Sequence, residues 1–167
     1  TREFNLSETT FVMKPEDAAN SAKVRIFFPK GEMPFAGHPT IGTAILLAEL
    51  KHKPGCSFES EIRLELKAGL TPVKVTRIAE HSFAKLVAPR LPSLADGEIP
   101  SREDIARALD VGVQDIGFDS HAPQLTLGAI GFLAVPVRSR DVLAKTRIIE
   151  PYWSNILAGI PGLDAAF

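Results

Sequence analysis

Cysteine is nearly absent from this sequence: Cys56 is the only one among 167 residues. A single cysteine excludes an internal disulfide, and it excludes a zinc site of the Cys-x-x-Cys type within the chain. Unpaired cysteine is typical of proteins in reducing compartments, so the sequence predicts a cytoplasmic location.

An excess of charge of either sign is also missing. The chain contains 19 Lys and Arg residues and 20 Asp and Glu residues, for a formal net charge of −1. Proteins that bind DNA, RNA or anionic membranes usually carry a basic surplus. No apolar run in the sequence approaches the roughly 18 residues that a membrane helix needs. We therefore expect neither a nucleic acid nor a membrane as a partner.

Motifs for metals and nucleotides are missing as well. The sequence contains no His-Glu-x-x-His and no glycine-rich phosphate loop that precedes a helix with a lysine. His52, His81 and His121 do not have the spacing of metal ligands. We expect no metal site and no nucleotide cofactor, in a chain whose 45% hydrophobic content is enough for one good core.

Residues 33–48 form the segment that says most about function. Gly37 supplies a flexible turn, and Pro39 suits the first turn of a helix because its fixed φ fits and its missing N–H would have no partner there. These signals predict a helix from about Pro39 to Leu50. Between residues 41 and 48 only Thr43 is clearly polar, which predicts a central helix enclosed by a sheet.

The start of this helix is a candidate functional site. A buried helix start presents N–H groups and about half a positive charge, which favours an anion such as a substrate carboxylate. His38 stands at that point, and a histidine there can exchange a proton near neutral pH. The alternative is a capping or core histidine whose ring nitrogens are satisfied by backbone groups, and Gly-His-Pro alone does not decide between the two.

Three blocks together carry a resemblance to a known family. They are residues 5–12 (NLSETTFV), residues 22–29 (AKVRIFFP) and residues 33–48 (MPFAGHPTIGTAILLA). In this order and at about these separations, the blocks resemble the phenazine-biosynthesis-like family of isomerases. That family shares its fold with diaminopimelate epimerase.

The resemblance implies a fold and an activity. It implies an α+β lobe in which a curved, mainly antiparallel sheet wraps around the helix that starts near Pro39. It also implies an isomerase that moves a proton on a small carboxylate-bearing substrate without a metal or an organic cofactor. Glu8 would be the catalytic base and acid, and His38 would assist it. The residues implied in substrate binding are Ser7, Gly37, Pro39 and Thr40.

Two features depart from the family pattern. Residues 128–132 read Gly-Ala-Ile-Gly-Phe where the relatives tend to have Ser/Thr-Gly-x-Pro-Phe, so a hydroxyl that could line the site is missing. The family also folds as two similar lobes, whereas 167 residues suffice for about one. We expect residues 1–167 to be a single lobe that lacks the family's first strand, with an uncertain tail over 147–167 and no second lobe. Asp164 does not match the acid of that second lobe.

The length and the chemistry of the chain leave alternatives open. The chain could be one piece of a longer or cleaved polypeptide. Alternatively, a natural single lobe could form a homodimer in which Glu8 and His38 of two copies face each other. The chain could also be catalytically silent and bind a small anion or act only in oligomerisation. Racemases of the same fold use two cysteines, which a chain with Cys56 alone cannot supply. A serine-hydrolase triad based on Ser7 lacks the sequence of a nucleophile elbow.

The rest of the chain predicts a sheet and short helices. Period-two alternation predicts strands over 61–67, 72–76 and 82–88, and apolar residues predict one or two buried strands within 124–137. Ser101 and Ser139 are predicted helix caps. The predicted core consists of Phe11, Val24, Ile26, Phe28, Ile41, Ile45, Ala48, Leu64, Leu66, Val73, Val75, Phe132 and Val135.

Overall fold

The computed structural model describes residues 1–160 and, as backbone, the short strand at 165–166. The chain consists of two compact units, Thr1–Leu91 and Pro92–Phe167. Each unit has its own sheet and its own cluster of buried apolar side chains. The predicted tail over 147–167 lies partly outside the described residues.

The first unit is a mainly antiparallel sheet with one helix. The strands are arranged in the order β1-β2-β4-β5-β6, with β3 paired to β2, and only the β2–β4 pair is parallel. This confirms the predicted α+β class. The elements are β1 Thr9–Met13, β2 Ala22–Phe28, β3 Gly31–Met33, α1 Gly37–Lys51, β4 Phe58–Leu66, β5 Gly69–Ile78 and β6 His81–Leu86.

The hairpin of β4 and β5 follows from alternation in the sequence. Ile62 and Leu64 are fully buried, while the residues between and around them are charged and partly or fully exposed. Gly69 begins β5 with a φ of +133°, a conformation that side chains disfavour, so a glycine suits the tight turn after β4. The turn sets the register, which pairs Leu66 with Gly69 and Leu64 with Thr71.

Helix α1 packs on the sheet through small residues. Ala44 and Ala48 are completely buried and belong to one cluster with Ile62, Leu64 and Val73. Alanine allows the helix to approach the strands closely, so the larger strand side chains fill the space between them. The predicted core residues that this cluster contains are Val24, Ile26, Ala48, Leu64, Leu66, Val73 and Val75, and Ile41 and Ile45 pack against it.

Some expectations about this core are wrong. Leu46 and Leu50 of α1 are 54% and 74% exposed, because the strands cover one side of the helix and leave these two side chains uncovered within the described chain. Phe28, the last residue of β2, is only half-buried. Phe11 is 53% exposed, since it lies on β1 at the edge of the sheet, where its ring meets that of Phe27 edge to face at 5.5 Å.

The second unit has a four-stranded sheet in the order β10-β9-β8-β7. Both predicted caps are confirmed: the Ser101 hydroxyl accepts from the N–H of Asp104 at 3.1 Å, and the Ser139 hydroxyl accepts from that of Val142 at 3.2 Å. The elements are β7 Ser93–Leu94, α2 Arg102–Leu109, a short 3-10 helix Val113–Asp115, β8 Gln124–Leu127, β9 Gly131–Ala134, α3 Arg140–Lys145, α4 Tyr152–Ala158 and β10 Ala165–Ala166.

The core of the second unit is separate from that of the first. Ile105, Ile116 and Leu133 are its most buried large side chains. Val135, which the sequence assigns to one common core, packs against this second cluster, and Phe132 is half-buried. None of the helices within residues 1–160 has both the length and the apolar character needed to cross a membrane.

A single carboxylate anchors the loop between β1 and β2. Glu65 accepts hydrogen bonds from Asn20 Nδ2 at 2.8 Å, from the N–H of Glu16 at 2.7 Å and from the N–H of Asp17 at 2.9 Å. The bond from Asn20, followed by the two backbone bonds, lowers the pKa of Glu65 below its ordinary value of 4.5. These bonds favour the ionised carboxylate in the folded protein.

The anchor makes stability depend on pH. Because the folded-state pKa of Glu65 is lowered, its contribution is present above about pH 4.5 and is lost as the pH falls through the lowered value. We expect Glu65→Gln to reduce the urea midpoint at neutral pH and to flatten the fall of that midpoint between about pH 5 and about pH 3, where carboxyl groups titrate. The control is Glu61→Gln, on the same strand and exposed. Equal pH profiles for both variants would contradict the anchor.

Candidate active site

Helix α1 begins without an acidic or capping side chain of its own. Its N-cap is Ala36, in extended backbone, and its first turn contains no Asp or Glu. Helix geometry leaves the N–H groups of Gly37 and His38 without carbonyl partners inside the helix, and Pro39 has no N–H. The positive end of α1 is therefore not balanced by residues of the helix itself.

The acidic group at this helix start comes from the segment before β1. Glu8 directly precedes Thr9, the first residue of β1, and its Oε2 lies 3.0 Å from Nε2 of His38. The Glu8 side chain is 18% exposed and that of His38 is 79% exposed. Glu8 and His38 are 30 positions apart in the sequence, and the packing of β1 beside α1 brings them together.

One oxygen of the Glu8 carboxylate is buried but incompletely satisfied. Oε2 is shielded from solvent and has no hydrogen bond of good geometry, although His38 is at contact distance. A buried carboxylate oxygen normally has directed donors, and one that lacks them is often found where a protein handles a ligand or a proton. The imidazole beside it is 79% exposed, so solvent reaches His38 although Oε2 of Glu8 is shielded.

Glu8 and His38 border a shallow pocket of about 240 Å³. Across it, the Thr43 hydroxyl donates to the Thr10 hydroxyl at 3.1 Å, which ties α1 to β1. Leu46 contributes an apolar wall. The full lining is Glu8, Thr10, His38, Pro39, Gly42, Thr43 and Leu46. A pocket of this size suits a small ligand rather than a large cofactor.

Of the other four residues predicted to bind substrate, only Pro39 lines the pocket beside Glu8 and His38. Gly37 is exposed at the start of α1 and does not line the pocket. Ser7 is exposed next to Glu8 but does not line the pocket. Thr40 is fully buried, and its hydroxyl donates to the carbonyl of Ala36 at 2.6 Å, so this side chain holds the helix start instead of facing a ligand.

Four lining residues are not predicted from the sequence. Gly42 and Leu46 follow His38 at intervals of four, which places them on one ridge of a helix. Thr10 follows Glu8 by two positions and so shares its side of the extended chain, and Thr43 is its hydroxyl partner on α1. The helical and extended periodicities are therefore the signals that could have found them.

Metal-binding side chains do not cluster in the described part of the chain. Within it, no group of three or more His, Cys, Asp or Glu side chains is close enough to hold a metal ion. Cys56 is exposed and free.

The sequence matches one protein family over most of its length. The profile of the family described as phenazine biosynthesis-like protein matches residues 1–156. An uncharacterized isomerase of Mesorhizobium japonicum is 35% identical over 155 residues, which are 93% of this chain and 50% of that protein. A trans-2,3-dihydro-3-hydroxyanthranilate isomerase of Pseudomonas aeruginosa is 43% identical over 76 residues, which are 46% of this chain and 25% of that protein.

A solved structure supports the fold. The structure of a predicted epimerase from Pseudomonas aeruginosa superposes with a TM-score of 0.79 at 24% sequence identity, covering 99% of this chain and 56% of that one. The mixed α+β fold expected from the resemblance is thus confirmed. The chain spans about half the length of the Mesorhizobium isomerase. Because the family profile covers all but the last residues of the sequence, the chain belongs to the phenazine biosynthesis-like protein family.

Proposed function

We propose that this chain supplies the proton-transferring carboxylate of an isomerase that acts on a small carboxylate-bearing molecule. The observation that carries the proposal is the contact of 3.0 Å between Oε2 of Glu8 and Nε2 of His38, at the edge of an open pocket. Moving a proton between two carbons needs a base that becomes an acid, which one carboxyl group can be. No metal or organic cofactor is required by that step.

The chemistry balances within the substrate. The Glu8 carboxylate removes a proton from one carbon of an unsaturated substrate, and the electron pair of the broken C–H bond shifts the neighbouring double bond. The resulting Glu8 carboxylic acid exchanges its proton with solvent through the open pocket and the exposed His38, and then donates a proton to a second carbon, which restores the carboxylate. One C–H bond is broken and one is formed, with no oxidation or reduction.

His38 and the start of α1 have supporting roles in this proposal. The imidazole contacts the carboxylate oxygen that lacks well-directed donors, and so it can hold Glu8 in position and share its proton. The N–H groups of Gly37 and His38 offer a place for the substrate carboxylate, because a helix start favours an anion. The apolar side of the pocket would contact the carbon framework of the substrate.

The relatives suggest the class of substrate. The Pseudomonas aeruginosa relative is named for trans-2,3-dihydro-3-hydroxyanthranilate, a ring that bears a carboxylate. We propose a cyclic, unsaturated carboxylate of this kind, without assigning that compound as the natural substrate. The cytoplasmic location and the homodimer stay predictions.

The test is isomerisation in deuterium oxide. The purified protein is incubated with trans-2,3-dihydro-3-hydroxyanthranilate and a set of related cyclic carboxylates, and products are followed by NMR and mass spectrometry. We expect an isomerised product that carries deuterium at the carbon that received the proton. Binding of these carboxylates without deuterium incorporation would contradict the proposal and would favour the alternative of a silent, anion-binding lobe.

Replacing His38 by asparagine should slow this reaction by about 10²-fold, the lower end of the range for a positioned acid–base group. Asparagine keeps a donor near Glu8 but cannot exchange a proton near neutral pH. The rate constant kcat should fall more than KM rises, because the loss concerns the proton transfer. His81→Asn, at an exposed position on β6, is the matched control. An unchanged kcat in His38→Asn would show that His38 serves only the helix start.

A further inference from the structure

We propose that Gly42 determines the substrate specificity of this pocket, because its missing side chain leaves the space in which the ring of a cyclic carboxylate lies. This inference rests on the proposed function, since it concerns the same pocket. It goes further by assigning a specificity role to a residue outside the Glu8–His38 pair. It also separates cyclic from acyclic carboxylates as ligands.

The position of Gly42 follows from helix geometry. It lies one turn after His38 and one turn before Leu46 on α1, and all three residues line the pocket. The backbone of Gly42 therefore separates the imidazole from the apolar wall. Any side chain at this position would project between them.

No contact in the described part of the chain requires a glycine here. Apart from its chain neighbours and the adjacent backbone of α1, a β carbon built at Gly42 would meet no heavy atom within 4 Å, and the residue does not have a positive φ. Glycine inside a helix is unfavourable relative to alanine, because it loses more conformational freedom on folding. The residue thus weakens α1 without relieving any contact in the protein, and a ligand that needs the open space explains it.

The surroundings indicate which kind of ligand fits. On one side, Gly42 and Leu46 present backbone and methyl groups to the carbon framework of a ring. On the other side, Glu8 faces the pocket beside the Thr10–Thr43 hydroxyl pair. Two hydroxyls that share one hydrogen bond keep one hydroxyl hydrogen free of that bond, and a carboxylate or hydroxyl on the ring can accept it. A flat ring with one polar edge matches both sides.

The test measures binding rather than turnover. Benzoate serves as the cyclic probe and acetate as the acyclic one, and each is titrated into isotope-labelled protein while amide shifts of residues 37–46 are followed by NMR. We expect benzoate to shift these amides in the wild type. We expect Gly42→Ala to weaken benzoate binding at least tenfold and to leave acetate binding within twofold of the wild type.

A matched control and a fold measurement accompany the variant. Leu50→Ala changes an exposed residue of the same helix outside the pocket, so it should leave benzoate binding unchanged. The thermal midpoint of Gly42→Ala should equal or exceed that of the wild type, since alanine favours the helix. Weaker benzoate binding at an unchanged or higher thermal midpoint would therefore come from the filled pocket and not from unfolding.

The inference is overturned if Gly42→Ala binds benzoate as the wild type does, or if benzoate does not shift the wild-type amides. Deuterium incorporation by the wild type is measured independently. If the wild type incorporates deuterium but Gly42→Ala binds benzoate normally, the inference about Gly42 is wrong and the proposed function stands. If benzoate binding depends on Gly42 but the wild type incorporates no deuterium, the proposed isomerase function is wrong and the inference that Gly42 shapes a ring-binding pocket stands.

Discussion

Replacing Glu8 by glutamine is expected to lower the rate of isomerisation by about 10³-fold, within the range known for the loss of a general acid–base group. Glutamine has nearly the same shape and can still accept a hydrogen bond from His38. Its amide oxygen, however, cannot take a proton from carbon at neutral pH. Deuterium incorporation should be lost together with turnover, because both depend on the same proton transfer.

The fold should survive this substitution. Glu8 precedes β1 and is not a member of the apolar core, so its replacement leaves the packing of α1 on the sheet intact. Losing a negative charge at a helix start costs about 0.3–1 kcal/mol. The circular dichroism spectrum should therefore be unchanged, and the urea midpoint should fall only slightly.

Two further variants sharpen the Glu8 experiment. Glu59→Gln makes the same chemical change at an exposed carboxylate that pairs with Lys74 at 2.8 Å, and it should keep the wild-type rate. Glu8→Asp keeps the charge but withdraws the carboxylate by one methylene, so its rate should lie between those of the wild type and Glu8→Gln. A rate in Glu8→Gln within about threefold of the wild type would show that the base is elsewhere, since an acid–base group contributes far more.

Replacing Leu64 by alanine is expected to lower the free energy of unfolding of the first unit by about 2–5 kcal/mol, the usual cost of such a truncation in a packed core. Leu64 is fully buried on β4, which lies between β2 and β5 in the sheet. Its cluster includes Ala44 and Ala48 of α1, and neither alanine can extend to fill the space that is left.

The measurement should distinguish the two units. Trp153, the only tryptophan of the chain, is partly buried and packs against the core cluster of the second unit, so its fluorescence reports on that unit. Hydrogen exchange at the amides of β4 and β5 reports on the first. Leu50→Ala removes the same atoms from a side chain that is 74% exposed, and it should cost well under about 1 kcal/mol, as surface changes usually do. Equal losses in both variants would contradict the proposed core.

Predictions that rest on local rules are confirmed by the structure. The strands of the β4–β5 hairpin follow from alternation, and the caps Ser101 and Ser139 follow from the hydrogen-bonding capacity of a serine at a helix start. Helix α1 begins two residues earlier than predicted, at Gly37. These features depend on residues a few positions apart, which a single sequence displays.

The wrong predictions concern which apolar side chains are covered by neighbouring helices and strands. Rules based on nearby residues in the sequence do not describe this. The apolar composition of α1 predicts a helix enclosed on every side, yet Leu46 and Leu50 are exposed. Likewise, Phe11 has the composition of a core residue but lies on an edge strand. Hydrophobicity indicates which side chains would gain from burial, whereas burial itself depends on which elements lie next to them.

By itself, the sequence determined the family, the α+β class, the start of α1 to within two residues, and the choice of Glu8 and His38 as candidates. The tertiary structure alone decided that their side chains meet at 3.0 Å, that Thr10 and Gly42 share the pocket, and that Thr40 does not face it. The physical reason is separation along the chain. Motifs and caps arise within a few residues, but a site built from positions 8 and 38 exists only when β1 and α1 pack side by side.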